Sequence, residues 1–359
     1  MRATIKDIAK ITGFSVTTIS LVLNNKADKI PQATKDIIIQ AAKKVKYRPN
    51  QIAVGLVKKQ TKTLGLIIAD IRNIYFANLA RGVEDECRKN GWNLILCNTN
   101  NKHEREKEYI QVLAAKGVDG LLVVLSADSD EVCVKENIET MKKLNIPYIF
   151  LDRYIKGVEC PIIRMDNIEG GYLATKHLLE LGHRKIACIT GPSDLSDSDE
   201  RLEGYKKAIA KAGIPYEENI IYEGSYSWED GVEAVSYWIK NKVDFTAVFA
   251  FNDLSAYGAC KQLKKYGLSI PKDISVVGYD NIFFSEVLET PLTTINQPIY
   301  EVGLYAVDQL LDIIRSKKNI MEFQIFEPEL VIRESTCKNK KRKEKVCNSE
   351  SNKYRFHEL

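Results

Sequence analysis

From Thr63 onward the chain repeats one beat: a short apolar run, then an amphipathic stretch of helical period. The runs LGLIIADI, WNLILCN, DGLLVVL and PYIFLD come first, and KIACIT, DFTAVFAF and ISVVGYD follow. Runs that are apolar throughout do not suit a sheet with one face in water. Alternating with helices, they read as strands of parallel sheets covered on both faces. There are about ten such units, more than one twisted sheet comfortably holds, so two doubly wound subdomains are expected. No short-period repeat interrupts the pattern.

Residues 1–62 differ in both pattern and charge. They hold 11 Lys and 2 Arg against 3 Asp and no Glu, a net +10. The tail 338–359 carries +5, which leaves −11 for residues 63–337 within a total of +4. A basic head on an acidic body suggests that the head alone meets a polyanion, the plain alternative being a solvated basic face. Within the head, TIKDIAKIT places Ile5, Ile8, Ala9 and Thr12 on one helical face. Gly13 supplies a permissive turn, and Ser15 can cap VTTISLVLNN, which buries Val16 or Ile19 with Val22 and Leu23. Pro31 can open a third helix, QATKDIIIQAAKKVKY.

The spacing Ile8–Ala9–Gly13–Ile19–Val22 is a helix-turn-helix signature. Ala9 must be small where two helices cross, and Gly13 takes the turn. The second helix then offers its N-terminal side chains to a major groove, and in a +10 segment this points to DNA. Val16, Thr17 and Leu21 face outward and suit base edges, the two apolar ones reading thymine methyls or shape. Ser15, Thr18, Ser20 and Asn24 suit phosphates, although Thr18 and Ser20 are equally explained as helix-surface polarity. Thr4, Lys6 and Lys29 complete the candidate DNA contacts of the head.

Other classes find little support. No run approaches a membrane span, and MRATIKDIAK has no apolar signal core, so export is not expected. Eight scattered cysteines without a CxxC read as reduced thiols of a cytoplasmic protein. His103, His177, His183 and His357 stand alone, without Cys or Asp at ligand spacing, and no metal site is expected. Neither GxxxxGK[ST] nor GxGxxG occurs, so nucleotide chemistry is not indicated and no cofactor is expected. Carboxylates occur in pairs, but without a nucleophile, metal set or phosphate loop, which argues against an enzyme.

The motifs TIKDIAKITGFSVTTIS, YRPNQIAVGL, GVDGLLV, ITGP, RLEGY, SVVGYD and PLTTINQP together make the chain resemble the lactose repressor (LacI/GalR) family of transcription regulators, from about Thr4 to about Glu334. The resemblance implies a three-helix head plus hinge helix, followed by two doubly wound parallel α/β subdomains of periplasmic-binding-protein type. The expected division is 1–47 for the head and 48–62 for the hinge. The first effector subdomain takes 63–162 and 293–325, the second 163–292 and 326–337, and 338–359 form a basic disordered tail. The stretch YRPNQIAVGLVKK is too short to be a stable helix alone, and Gly55 weakens it further. The resemblance implies that it folds only when two copies meet on operator DNA. A leucine then wedges into the minor groove, the matching residues being Asn50, Ala53 and Leu56. Lys58 and Lys59 would meet phosphate.

In doubly wound sheets ligands sit beyond the carboxyl ends of the strands. The residues there are Asn73, Tyr75 and Phe76; Ser126; Asp152 and Arg153; Asp166; Asp197 to Arg201; Tyr226 and Trp228; Asn252 and Asp253; Asp280; and Gln297. Flat rings beside carboxylates, amides and arginines suit a polyhydroxylated ligand. The resemblance supports the same positions, with Arg201 as the ligand-gripping arginine and Asp280 as the ligand-contacting aspartate. Arg153 either grips an acidic or phosphorylated sugar or pairs with Asp152, and pairing is slightly preferred. Asp166 is equally well explained as a helix N-cap. Purine-binding members carry a different run before the arginine; the acidic SDLSDSDER favours a neutral or amine-bearing ligand. The expected protein is a homodimeric repressor whose operator affinity is switched by a sugar. The alternatives are control by a partner protein and a sugar-binding protein without a DNA role.

Overall fold

A computed structural model describes residues 3–24, 26–47, 60–316 and 323–339. The expected hinge contacts Asn50, Ala53, Leu56 and Lys58 lie outside these residues, as does the tail beyond Asn339.

The head is three helices: α1 (Ile5–Thr12), α2 (Val16–Leu23) and α3 (Gln32–Lys44). At the start of α1 the Asp7 carboxylate accepts both the Thr4 backbone N–H at 2.8 Å and the Thr4 hydroxyl at 2.7 Å. Gly13, at φ 73°, ends it in the left-handed conformation that a Cβ disfavours. The Ser15 hydroxyl caps α2 by accepting from the Thr18 N–H at 3.1 Å. Pro31 stands at the cap position, one residue ahead of α3. Ile8, Ile19, Val22, Ile38, Ala41 and Ala42 form the small core. Of the two residues that could have joined it, Ile19 is buried and Val16 is 43% exposed.

The body is built on two sheets. The first contains β1 (Thr63–Ile68), β2 (Asn93–Asn98), β3 (Gly120–Val124), β4 (Tyr148–Leu151), β5 (Ile162–Met165) and β11 (Phe323–Phe326), in the order β11-β5-β4-β3-β1-β2. The second contains β6 (Ile186–Thr190), β7 (Ile221–Glu223), β8 (Ala247–Ala250), β9 (Ser275–Asp280), β10 (Thr293–Asn296) and β12 (Glu329–Val331), in the order β12-β10-β9-β8-β6-β7. All described pairings are parallel except β10 with β12. Helices α4 (Ile74–Lys89), α5 (His103–Ala115), α6 (Glu131–Lys143) and α12 (Ile299–Ser316) cover the first sheet. Helices α7 (Asn167–Glu180), α8 (Ser196–Lys211), α9 (Trp228–Lys240) and α10 (Asp253–Lys265) cover the second, beside the short α11 (Phe284–Val287). Strands such as β3 and β9 are buried along their whole length, as parallel strands under two helical layers must be.

The strand pairings move the expected subdomain limits. Strand β5 hydrogen-bonds β4 through the Phe150–Ile162 register, so residues 163–165 belong to the first sheet rather than the second. Strand β10 pairs with β9, so residues 293–296 belong to the second. Phe326 pairs with Met165 and stays in the first. An apolar run reveals that a strand exists but not whose edge it joins, and the misplaced residues all lie where the chain changes sheet. The first residues of the expected disordered tail are held in place: the Asn339 N–H donates to the Leu181 carbonyl at 2.8 Å.

The helices of each subdomain approach closely. A Cβ on Gly204 of α8 would lie 2.1 Å from the Ile168 carbonyl oxygen, and one on Gly171 of α7 2.2 Å from that of Arg201. The α7–α8 pair therefore packs backbone to backbone at Arg201. Among the described residues no helix is long and apolar enough to cross a membrane.

Candidate ligand cleft and DNA-reading head

Both sheets aim the carboxyl ends of their strands at one cleft. Asn73 caps α4 by accepting from the Tyr75 N–H at 3.0 Å, which sets Tyr75 and Phe76 in the first turn beyond β1. Asp152 and Arg153 follow β4. From the second subdomain come Asp197 and Arg201, one turn apart on α8, with Tyr226 after β7. Asn252 caps α10, and Asp280 ends β9. These ten residues line one pocket, open to solvent, between the two subdomains.

The polar groups of the cleft are already organised. The Tyr75 hydroxyl donates to Asp152 Oδ1 at 2.6 Å, and the Tyr226 hydroxyl to Asp197 Oδ2 at 2.6 Å. Gln297 Nε2 donates to Asp280 Oδ1 at 2.7 Å. Arg201 donates from Nε to Asn167 Oδ1 at 2.9 Å and from Nη1 to the Phe251 carbonyl at 2.5 Å, while its guanidinium stacks 3.8 Å from the Tyr279 ring centre. Arg153 donates from Nη1 to Asn101 Oδ1 at 3.0 Å and to the Leu125 carbonyl at 3.2 Å. Its expected pairing with Asp152 is long, 3.9 Å from Nε, and is shared with Asp197 at 3.7 Å. Arg153 Nε and Asp197 Oδ1 are buried and have no hydrogen-bond partner among the described residues. A donor and an acceptor thus face each other from opposite walls, too far apart to satisfy each other.

Electrostatics and backbone strain single out the same place. Burial pushes the Asp280 carboxyl well above its ordinary value, Arg201 opposing and Asp253 adding to the rise. Burial also raises Asp152, helped by Asp197 and opposed by Arg153. For Arg201, burial acts downward, yet Tyr226, Tyr279, Asp197 and Asp280 hold it above the usual arginine range. Three lining residues adopt left-handed backbone, Asp152 at φ 71°, Tyr226 at 66° and Asp280 at 106°. Such conformations in non-glycine residues cluster where a side chain must be aimed. Together, buried rings, three carboxylates and two guanidiniums suit a small polar molecule that both accepts and donates hydrogen bonds.

Of the eighteen residues expected beyond the strand ends, ten line the cleft; Ser198, Asp199 and Glu200 of α8 do not, nor do five others. Ser126 donates its N–H to buried Glu106 and its hydroxyl to Thr99. Asp166 caps α7, accepting from the Glu169 N–H. Trp228 opens α9 under the ammonium of Lys261. Asp253 is buried behind the cleft, accepting from Ile282 N–H, Ser285 Oγ and Thr294 Oγ1. Gln297 sits behind Asp280 and contacts it directly. Sequence reasoning missed Asn167 and Tyr279, which fix Arg201, and Asn101, which holds Arg153. Asn167 is the neighbour of the chosen Asp166, and Tyr279 hides inside an apolar strand.

In the head, Val16, Thr17 and Leu21 are exposed on α2, as base-reading side chains must be, and Lys6 and Lys29 are exposed as well. Ser15 and Thr18 share a hydroxyl contact of 2.8 Å at the cap, and Asn24 Nδ2 turns back on the Ser20 carbonyl at 2.8 Å. These polar groups serve the helix first, whatever else they touch.

The sequence pattern described as "Bacterial regulatory proteins, lacI family" matches residues 4–50. That described as "Periplasmic binding proteins and sugar binding domain of LacI family" matches residues 61–343. The chain belongs to the LacI family. The HTH-type transcriptional repressor PurR of Vibrio atlanticus is 40% identical over 338 residues, covering 94% of this chain and 99% of that protein. PurR of Photobacterium profundum is 40% identical over 339 residues, covering 93% and 98%. Among solved structures, the lac repressor dimer bound to operator and the anti-inducer ONPF superposes with a TM-score of 0.85 at 26% identity, covering 94% of this chain and all of that one. A LacI family regulator from Enterococcus faecium with bound ribose gives 0.70 at 35% identity, covering 77% and 100%. This LacI-family chain is therefore a DNA-binding transcriptional repressor with a ligand-binding body, a regulator and not an enzyme.

Proposed function

We propose that this LacI-family repressor is a cytoplasmic homodimer whose operator affinity is switched by a neutral sugar of about ribose size. The observation that carries the reading is the unsatisfied pair across the cleft, Arg153 Nε and Asp197 Oδ1, 3.7 Å apart. One ligand hydroxyl can accept from the first and donate to the second, which a purely anionic or purely cationic group cannot do. Three carboxylates against two guanidiniums also disfavour an anion. The Phe76 and Tyr226 rings supply flat apolar faces. The bound ribose of the Enterococcus faecium relative supports the same ligand class.

The dimer is supported by a surface patch. Phe283, Phe284 and Val287 are 69%, 50% and 57% exposed and adjacent, in the loop and helix that follow Asp280. A second copy covering them removes apolar surface from water. Control by a partner protein has no comparable observation in its favour.

The test is calorimetric titration of the full chain with D-ribose, other pentoses and hexoses, with a purine base as competitor, alongside operator gel shifts. Saturable heat with a sugar, together with a change in operator affinity, is expected. Binding of the purine base with no sugar response would sink the assignment.

A further inference from the structure

Helix α8 carries two pairs of side chains at i, i+4 spacing on adjoining faces. Asp197 and Arg201 point into the cleft. Ser196 and Glu200, the other pair, are held by the opposite subdomain. The Tyr154 N–H donates to Ser196 Oγ at 3.0 Å, and the Tyr154 hydroxyl to Glu200 Oε1 at 2.7 Å. Arg164 Nη1 reaches both Glu200 oxygens, at 3.0 and 3.1 Å. Tyr154 belongs to the loop after β4 and Arg164 to β5, both of the first subdomain. They brace each other, the Arg164 guanidinium lying 4.9 Å from the Tyr154 ring centre. The Asn167 amide, whose Oδ1 accepts from Arg201 Nε at 2.9 Å, also helps to favour the charged form of the Glu200 carboxylate.

We propose that Glu200 is a positioning residue that ties closure of the two subdomains to the placement of Arg201. Tyr154 and Arg164 grip it from the first subdomain, and Asn167 and the α8 backbone pass its position to the guanidinium. None of these latch residues lines the cleft, so the device works before any ligand arrives. A contact made only between closed subdomains raises the population of the closed state. Ligand affinity then rises in proportion to that population. The inference rests on the cleft being a ligand site but not on the ligand's identity.

The experiment uses the full chain and its Tyr154→Phe, Arg164→Met and Glu200→Gln variants. Small-angle scattering of the ligand-free proteins reads closure, and calorimetry with D-ribose reads affinity. Tyr154→Phe and Arg164→Met are expected to scatter as more open particles and to bind roughly three- to tenfold more weakly. Their double variant loses little more, because both act on one carboxylate. Glu200→Gln keeps an oxygen for Tyr154 and falls between parent and double variant. Unchanged scattering in the single variants, opening without loss of affinity, or fully additive losses would each overturn the proposal. If D-ribose fails to bind even the parent chain, the ligand assignment falls, while the scattering comparison still decides the latch.

Discussion

At the scale of single residues, Arg201 is where most of the cleft's order converges. Its guanidinium is buried, stacked on Tyr279 and tied to Asn167 and the Phe251 carbonyl. Arg201→Ala leaves Asp280 and Asp197 without their common cation, and losing a charge-assisted contact in such a place costs about 2–4 kcal/mol. Calorimetry should show ligand affinity reduced about 30-fold or more, with operator binding in gel shifts retained. Asp253 makes a separate prediction. Burial raises its pKa to about 6 although three hydrogen bonds act against the rise. The folded state therefore holds this proton at pH values where the unfolded chain has lost it. Its stabilising contribution is present below about pH 4 and disappears as pH rises through 6, worth up to about 3 kcal/mol. Urea melts of the parent against Asp253→Asn should show the parent's relative advantage shrinking from pH 4 to pH 6; a constant difference would contradict this. Arg201 and Asp280 were legible because each sits in a distinctive motif at a strand or helix end. Asn167 was missed by one position, since neighbouring residues at a helix start face directions about 100° apart.

At the scale of elements, the tight α7–α8 contact makes a sharp demand. A Cβ on Gly204 would meet backbone, the carbonyl of Ile168, rather than a side chain that could swing away. Gly204→Ala should cost about 2–3 kcal/mol by overpacking, read as a lower denaturation midpoint. Because the displaced helix carries Arg201, ligand affinity should drop with it; a variant as stable as the parent would show that the helices can separate freely. Most elements were readable from apolar runs and caps: α1, α2 and α3 begin within a residue of the positions marked by Thr4, Ser15 and Pro31. The sheet membership of β5, β10 and Phe326 was not, because the neighbour with which a strand pairs leaves no mark in local composition.

At the scale of the molecule, charge is segregated between head and body, with +10 in residues 1–62 against −11 in residues 63–337. A head that neutralises several phosphates releases as many counterions, so operator binding should fall steeply as salt rises from about 50 to 200 mM. Binding of a neutral ligand in a buried cleft should hardly change over the same range. Equal salt dependence of both would mean that the cations of the head are not the contact surface.

The order of apolar runs, the capping residues and the segregation of charge by themselves determined a helix-turn-helix head on a two-sheet α/β body, because each is a local consequence of side-chain polarity and backbone preference. Tertiary structure alone decided which candidates share the cleft and which stand behind it. It aimed Asp152, Tyr226 and Asp280 through left-handed backbone, set Arg153 against Asp197 across two subdomains, and clasped Glu200 from the opposite side. The last two relations join residues 36 to 46 positions apart, and only the packing of complete sheets and helices brings such distant groups within a few ångströms.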